Sequence, residues 1–257
     1  MATPDDTPRE ADGGHWFGYR RVDATEKTTL VQDVFSSVAG RYDLMNDLMS
    51  GGIHRIWKRQ LLAMIRPRPG TVLVDVAGGT GDVSLAWLDA VDGDGRAIIC
   101  DASEEMLSHG RDRAMDRGFG AQLQGAVGLA EALPLPDRTA DVYTIAFGLR
   151  NVTHIDAALA EARRVLKPGG RFYCLEFSRV LSPGLRRLYD AYSFAVIPRL
   201  GHVVAGDREA YQYLVESIRQ FPDQPTLAGR MAEAGLWRPR WRNLSGGIAA
   251  IHTAWRT

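Results

Sequence analysis

Cysteine is scarce. The 257 residues hold two, Cys100 and Cys174, far apart and each inside an apolar run. No CxxC pair and no His/Cys cluster accompanies them. That excludes a zinc ribbon and a disulfide framework, and it fits a reducing compartment. An excess of one charge is missing too. The 31 Lys+Arg balance 31 Asp+Glu, which excludes a general polyanion binder such as a nucleic-acid protein but leaves room for a local basic patch. No apolar run reaches the roughly 18 residues of a membrane span. No internal repeat is visible, and the 27 Gly and 12 Pro are only slightly above average usage. Met1 to Gly14 are acidic and rich in Pro and Gly, without the apolar core of a secretory signal or the Arg-rich character of a transit peptide. They read as a mobile tail (1–14) ahead of one domain (15–257). A cytoplasmic protein is expected.

What is present is an alternating pattern. Leu30, Val31, Val34, Phe35 and Val38 recur at helical spacing within Thr25–Met49. Ile53–Ile65 reads as a second helix, broken by Pro67 and Pro69. From Thr71 the texture changes. Thr71–Val76, Arg96–Asp101, Ala121–Val127, Asp141–Phe147 and Arg171–Phe177 read as strands. Between them lie helical stretches from Asp82 to Val91, from Ser103 with Glu104 and Glu105 in its first turn, and from Ile155 to Leu166, the last stopped by Lys167-Pro168-Gly169-Gly170. That alternation predicts a parallel sheet with helices on both faces. Residues 179–222 interrupt it with helical patterns at Pro183–Pro198 and Asp207–Gln220. A helix over Thr226–Ala234 and a hairpin of Trp237–Leu244 with Ile248–Trp255 close the chain. A helical cover (15–69), a helical lid insertion (179–222) and a seven-stranded, mostly parallel sheet with a C-terminal antiparallel hairpin make a Rossmann-like class I methyltransferase architecture.

The chemistry concentrates after the first sheet strand. Val72–Ser84 reads VLVDVAGGTGDVS, so a strand ending in Asp75 runs into a glycine turn that starts a helix. Glycines let a backbone approach a ligand where a side chain would clash. The spacing is not G-x-G-x-x-G, since Ala77 takes the first glycine's place, and no P-loop lysine follows. Asp101 closes the next strand, where a carboxylate accepts both hydroxyls of a ribose. NAD-type sites cradle a pyrophosphate on a helix N-terminus. S-adenosylmethionine has no phosphate but carries an ammonium and a sulfonium, and Asp75 suits those cations.

Several longer stretches resemble one family, the ubiquinone/menaquinone biosynthesis C-methyltransferases. They are Tyr42–Ser50 (YDLMNDLMS) continuing to His54 and Trp57, AGGTGD (Ala77–Asp82), EALPLPD (Glu131–Asp137), FGLRNV (Phe147–Val152), RVLKPGG (Arg164–Gly170) continuing to Glu176, DAYSF (Asp190–Phe194) and YLVESIRQFPDQP (Tyr213–Pro225). The resemblance spans about Trp16 to Trp255. It implies methyl transfer from S-adenosylmethionine to a ring carbon of a polyprenylated benzoquinol or naphthoquinol, with no metal. By position it implies cofactor contacts at Asp75, Gly79, Thr80, Gly81, Asp101, Ala102, Leu129, Ala130 and Ala146. Leu129 stands where many relatives carry Asn or Asp, and Ala146 where some carry Ser. The expected partners are the quinol, with a peripheral contact on the inner face of the membrane, other quinone-biosynthesis enzymes and a homodimer as open additions.

Carbon methylation needs a nucleophilic ring carbon, and a quinol carbon gains that character when the neighbouring hydroxyl loses its proton. A phenol titrates near 10, so the site must take the proton or stabilise the oxyanion. Arg150 is expected to supply positive charge there, since a guanidinium is a poor base. Asn151 and Tyr42 are candidates for orienting ring hydroxyls, and His54 for accepting the proton. Each has a plainer alternative. Arg150 pairs with an acid, Tyr42 packs in the core, Asn151 shapes a turn, His54 is structural; Glu176 reads as an ordinary buried ion-pair acid. Arg186, Arg187 and Arg199 around apolar Leu185, Phe194 and Ile197 suggest a greasy lid with a lipid-facing rim. Competing readings are an O- or N-methyltransferase of the same fold, a nicotinamide oxidoreductase, and a silent quinone-binding scaffold. A metal-dependent catechol type would need acids that FGLRNV lacks.

Overall fold

A computed structural model of the chain describes residues 14–38, 52–184, 187 and 208–257. The sequence-based expectations at Tyr42 and over most of Pro183–Pro198 fall outside them, as does the tail except Gly14.

Seven strands form one sheet in the order β5-β4-β3-β6-β7-β9-β8. They are β3 (Thr71–Val76), β4 (Gly95–Asp101), β5 (Leu123–Val127), β6 (Ala140–Ala146), β7 (Leu166–Phe177), β8 (Trp237–Leu244) and β9 (Ala249–Trp255). The first five pair in parallel, while β9 runs antiparallel between β7 and β8. The connecting helices are α3 (Asp82–Ala90), α4 (Glu104–Asp116) and α5 (Ile155–Val165). Two buried layers form because successive strand side chains alternate between faces. Leu73, Ile99, Leu175 and Ile251 meet Trp57, Leu61 and Ile65 of α2 (His54–Ile65) on one face. Val74, Val76, Ile98, Tyr143 and Phe172 meet α5 and α7 (Gln224–Glu233) on the other. Each such side chain contributes roughly 1.5–3 kcal/mol on burial. Helix α5 buries Ile155, Ala158, Leu159, Ala162 and Val165, a single stripe at helical spacing.

Three expectations need correction. The expected helical cover opens on a β-hairpin, β1 (His15–Phe17) with β2 (Arg20–Val22), turned at Gly18 and Tyr19. Gly18 has φ +57°, which a two-residue hairpin turn favours at its first position. Only then does α1 (Ala24–Val38) begin. Lys167–Gly170 ends the helix but does not form a free turn. Leu166 pairs with Ala140 and Arg171 with Val142, so the four residues between bulge out within β7, with Gly169 at φ +79°. The helix expected from Thr226 starts at Gln224, because the Asp223 carboxylate caps it by accepting from the Thr226 N–H at 3.1 Å.

The hairpin braces distant chain. Phe17 stacks on Tyr213 of α6 (Arg208–Gln220) with ring centroids 4.2 Å apart, and the Tyr19 N–H donates to Glu216 at 3.0 Å.

Candidate active site

The chain runs from β3 outward through β4 and β5 on one side and then crosses to β6 on the other, so the carboxyl ends of β3 and β6 flank a topological switch point. A cavity of about 480 Å³ opens there, within the usual small-ligand range. Its walls are the loops after β3, β4, β5 and β6, and α1 supplies Thr28, Val31 and Asp33. Helix α1 is held to that rim by Lys27 Nζ donating to the Val152 carbonyl at 3.0 Å and by a 3.2 Å hydroxyl contact between Thr28 and Thr153. Among the described lining residues the charged ones are Asp33, Asp101, Glu104, Glu105 and Glu131, with no Lys or Arg.

Asp101 is the best-defined group. One carboxylate oxygen accepts from the Gly79 N–H at 2.8 Å and the other from the Ser103 N–H at 3.0 Å. Each oxygen keeps a second acceptor site, the arrangement that two ribose hydroxyls require. Burial pushes its pKa up, and the Ser103, Gly79 and Ala102 backbone N–H groups oppose that push. Ser103 also caps α4, its hydroxyl accepting from the Met106 N–H. Gly79 sits at φ +53° to aim its N–H at Asp101. A Cβ at Gly78 would lie 2.9 Å from the Asp75 carbonyl, and one at Gly148 would lie 2.4 Å from the Ala77 Cβ. The loop after β6 therefore reaches the loop after β3 at Gly148, against Ala77. Ala102, Leu129 and Ala130 line the cavity beside Asp101. The Leu129 carbonyl is engaged by the Ala132 N–H, and its side chain is half exposed along the wall.

Other expected cofactor residues lie one layer away. Asp75 is buried, with one oxygen accepting from Thr144 at 2.7 Å and the other from Ser84 at 2.9 Å. Burial pushes its pKa up to about 6, against those hydroxyls and the Lys58 charge. It faces a small void shared with Thr80 and Ala146, not the main cavity. Thr80 receives Arg113 at its hydroxyl and carbonyl, 2.7 and 2.9 Å. Arg113 and Lys58 also hold Asp82, which burial pushes up and these two cations bring down to about 2. Gly81, at φ +81°, precedes α3 and packs on Ile99.

The expected catalytic set divides. Asn151 lines the cavity, and its Oδ1 accepts from the Tyr213 hydroxyl at 3.1 Å, which turns the amide NH2 away from Tyr213. Arg150 does not line it. Its guanidinium meets Glu176 at 2.9 Å with both side chains 1% exposed, and it also donates to the Phe147 carbonyl. Glu176 accepts further from the Arg150 and Phe177 N–H groups. Burial pushes the Glu176 pKa up, and Arg150 pulls it down. This is the ion-pair alternative for Arg150, in place of a charge facing the ring. His54 is buried at the start of α2 and is not among the lining residues.

Tyr213 and Phe147 were not singled out from the sequence as site residues. Phe147 lines the cavity at φ +58°, a strained setting for an aromatic residue that the Arg150 bond to its carbonyl helps to hold. Both lie in stretches, FGLRNV and YLVESIRQFPDQP, that carried the family resemblance. Among the described residues no group of three His, Cys, Asp or Glu side chains converges as metal ligands would.

Residues 22–256 match the ubiE/COQ5 methyltransferase family. The chain is 58% identical over 243 residues to the ubiquinone/menaquinone biosynthesis C-methyltransferase UbiE of Acidiphilium cryptum, covering 93% of this chain and 96% of that one. It is 55% identical over 250 residues to the protein of that name from Paracoccus denitrificans, covering 97% and 99%. Among solved structures it resembles a SAM-dependent methyltransferase from Aquifex aeolicus (TM-score 0.58, 16% identity, covering 92% of this chain and 100% of that one). It also resembles the CMeT domain of the citrinin polyketide synthase (TM-score 0.62, 16% identity, covering 88% and 59%). These two likenesses speak for the class I methyltransferase fold.

Proposed function

The chain belongs to the ubiE/COQ5 methyltransferase family, and on that premise we propose that it methylates a ring carbon of a polyprenylated benzoquinol or naphthoquinol from S-adenosylmethionine, in ubiquinone/menaquinone biosynthesis. The observation that carries the cofactor is the cavity's charge. Among the described residues the wall holds carboxylates and no Lys or Arg, which suits a sulfonium and an ammonium and repels a pyrophosphate. That disfavours the nicotinamide reading. Asp101 would hold the ribose, with Gly79, Ala102, Leu129 and Ala130 around the nucleoside. S-adenosylmethionine supplies an electrophilic methyl group when bound.

The chain's own part is binding and alignment. Asn151, with its Oδ1 taken by Tyr213, offers N–H donors to a ring oxygen as charge develops there. Arg150 then acts as a positioning residue. Paired with Glu176, it holds the Phe147–Asn151 turn, and its charge is largely offset by that carboxylate. Asp75, Thr80, Gly81 and Ala146 support the cofactor loop from beneath. Tyr42 remains a candidate to orient the ring; His54 has no support from the cavity lining. Peripheral membrane contact fits a bilayer-resident acceptor, and among the described residues no helix is long and apolar enough to cross a membrane.

The test is a methyl-transfer assay with labelled S-adenosylmethionine and short-tail benzoquinol and naphthoquinol acceptors, each reduced and oxidised. Label in the ring carbon under reducing conditions alone is the expected result, and the preferred acceptor identifies the branch. Cofactor binding without transfer to either quinol would refute the acceptor class. Failure to bind the cofactor would favour the scaffold reading.

A further inference from the structure

The formal charge of the whole chain is zero, but it is not evenly spread. Residues 51–74 hold five Lys/Arg and no acid, and residues 234–257 hold four Arg and no acid. The fold brings these two stretches together. Helix α2 lies across the sheet face of β7, with the Tyr173 hydroxyl donating to the Met64 carbonyl at 3.2 Å and the Trp57 indole N–H to Ser245 at 2.9 Å. Beyond α2 the same face of β9 and β8 continues to the sheet edge.

Register fixes what this strip presents. Arg171 pairs with Trp255, and Trp255 with Trp237, so these three side chains share a face. Arg240 opposes Thr253 and Arg242 opposes Ile251, which puts both on that face too. The Arg171 guanidinium lies 5.8 Å from the Trp255 ring centroid. Burial pushes the Tyr173 phenol up while the nearby Arg171 and Arg66 pull it back, so the end of α2 joins the cluster. Trp237 and Trp255 are 50% and 43% exposed, and Arg66, Arg240 and Arg242 are exposed. Among the described residues none of these arginines meets an acidic side chain. Two large indoles in solvent beside unpaired guanidiniums are a poor design for a surface that contacts water alone.

The strand edge itself is closed to another strand. Pro239 removes a donor, Arg238 has φ +51°, and the β8–β9 register shifts between Trp237 and Arg240. Such features block edge-to-edge pairing, so the strip is not built for β-addition by a second copy. It is a broad face rather than a groove. Indoles favour the headgroup level of a bilayer, and guanidiniums bind phosphate in a bidentate manner. Resting on the reading above, in which the acceptor carries an isoprenoid tail, we propose that this Trp/Arg face of β8, β9 and the end of α2 is where the protein sits on an anionic lipid surface. The face and the site share α2: Trp57, near the start of that helix, packs 6.2 Å from Phe147 on the cavity wall, while Arg171, Trp255 and Trp237 lie toward the amino end of β7.

The test uses the full chain and flotation with vesicles of phosphatidylcholine alone or with ~30% phosphatidylglycerol. The wild type is expected on the anionic vesicles and not on the neutral ones. Arg240→Gln/Arg242→Gln is expected to weaken that binding about tenfold or more. Trp237→Ala is expected to weaken it as well. S-adenosylmethionine affinity and methyl transfer to a short-tail quinol should stay at wild-type values in these variants. Equal binding to both vesicles, or no change in the double variant, overturns the proposal. So does loss of binding in Arg186→Gln/Arg187→Gln alone, which would move the contact to the lid insertion. Retention of an acidic polypeptide or RNA in place of vesicles, with the same arginine dependence, also overturns it. Vesicle binding without methyl transfer to any quinol would instead break the functional reading and leave the surface intact.

Discussion

Replacing Asp75 by Asn should make the protein more stable and a worse cofactor binder. The Asp75 carboxyl is fully enclosed, and burial lifts it from 3.8 to about 6 despite hydrogen bonds from Thr144 and Ser84. The folded state therefore holds this proton more tightly than the unfolded chain. Stability falls as pH rises from about 4 to about 6, and above that window the ionised group is a net cost. The gap corresponds to roughly 3 kcal/mol at neutral pH, an upper bound for the gain on neutralisation. Asn preserves shape, and both hydroxyl partners can rotate to donate to its oxygen or accept from its NH2. For a domain of this size that gain raises Tm by up to about 10 °C. Thermal unfolding of the cofactor-free protein at pH 8 and pH 5 measures it. The variant should melt higher at pH 8, and its advantage should shrink at pH 5, where the wild-type group is already largely protonated. An unchanged or lower Tm at pH 8, or a gain equally large at pH 5, refutes the reasoning. Calorimetry on the same variant should show weaker S-adenosylmethionine binding.

Three further predictions address the cavity. In Asp101→Asn the amide NH2 must face either the Gly79 or the Ser103 N–H, which strains the loop, and it also replaces the charged acceptor of one ribose hydroxyl; with about 2 kcal/mol lost from that ribose bond, cofactor Kd should rise roughly 30-fold by calorimetry. Arg150→Met or Glu176→Gln alone should cost about 3–5 kcal/mol in denaturant unfolding, whereas Arg150→Met with Glu176→Leu should recover much of it, because the charge left alone in the core is then gone. Tyr213→Phe keeps the stacking on Phe17 but releases Asn151; KM for the quinol should rise about threefold to tenfold with the cofactor Kd unchanged, and a shift in cofactor affinity instead would count against the orienting role.

The sheet was legible because its signals are local. Leu73, Val74 and Val76 lie in a short β-branched run, and Ser103 with Glu104 and Glu105 is a capping pattern that needs no distant partner. The Gly18 hairpin escaped because three-residue strands have almost no periodicity, and their fixation depends on Phe17 finding Tyr213. The bulge at Lys167–Gly170 escaped for a related reason: Lys-Pro-Gly-Gly looks the same whether its flanks pair with a neighbouring strand or not. In the site, Asp101 was readable from its place at a strand end. Asp75 was equally readable as a position, but alternation turned its carboxyl toward Ser84 and away from the main cavity. Arg150 was marked by its charge and its place in FGLRNV after a strand, yet its partner Glu176 is 26 residues away, and their meeting is a product of β7 lying beside β6.

The order of strands has a consequence for biosynthesis. A ribosome delivers β8 before β9, yet β9 is the strand that joins β8 to β7. Until it emerges, β8 has no neighbour and the antiparallel side of β7 stays open. The early-made hairpin waits likewise for α6, more than 180 residues later, to supply Tyr213 and Glu216. The parallel core can assemble on a nascent chain while the wall above it is still unbraced. Cofactor capture should therefore lag behind sheet formation during translation, and this long half-built interval is when the chain has most need of a chaperone.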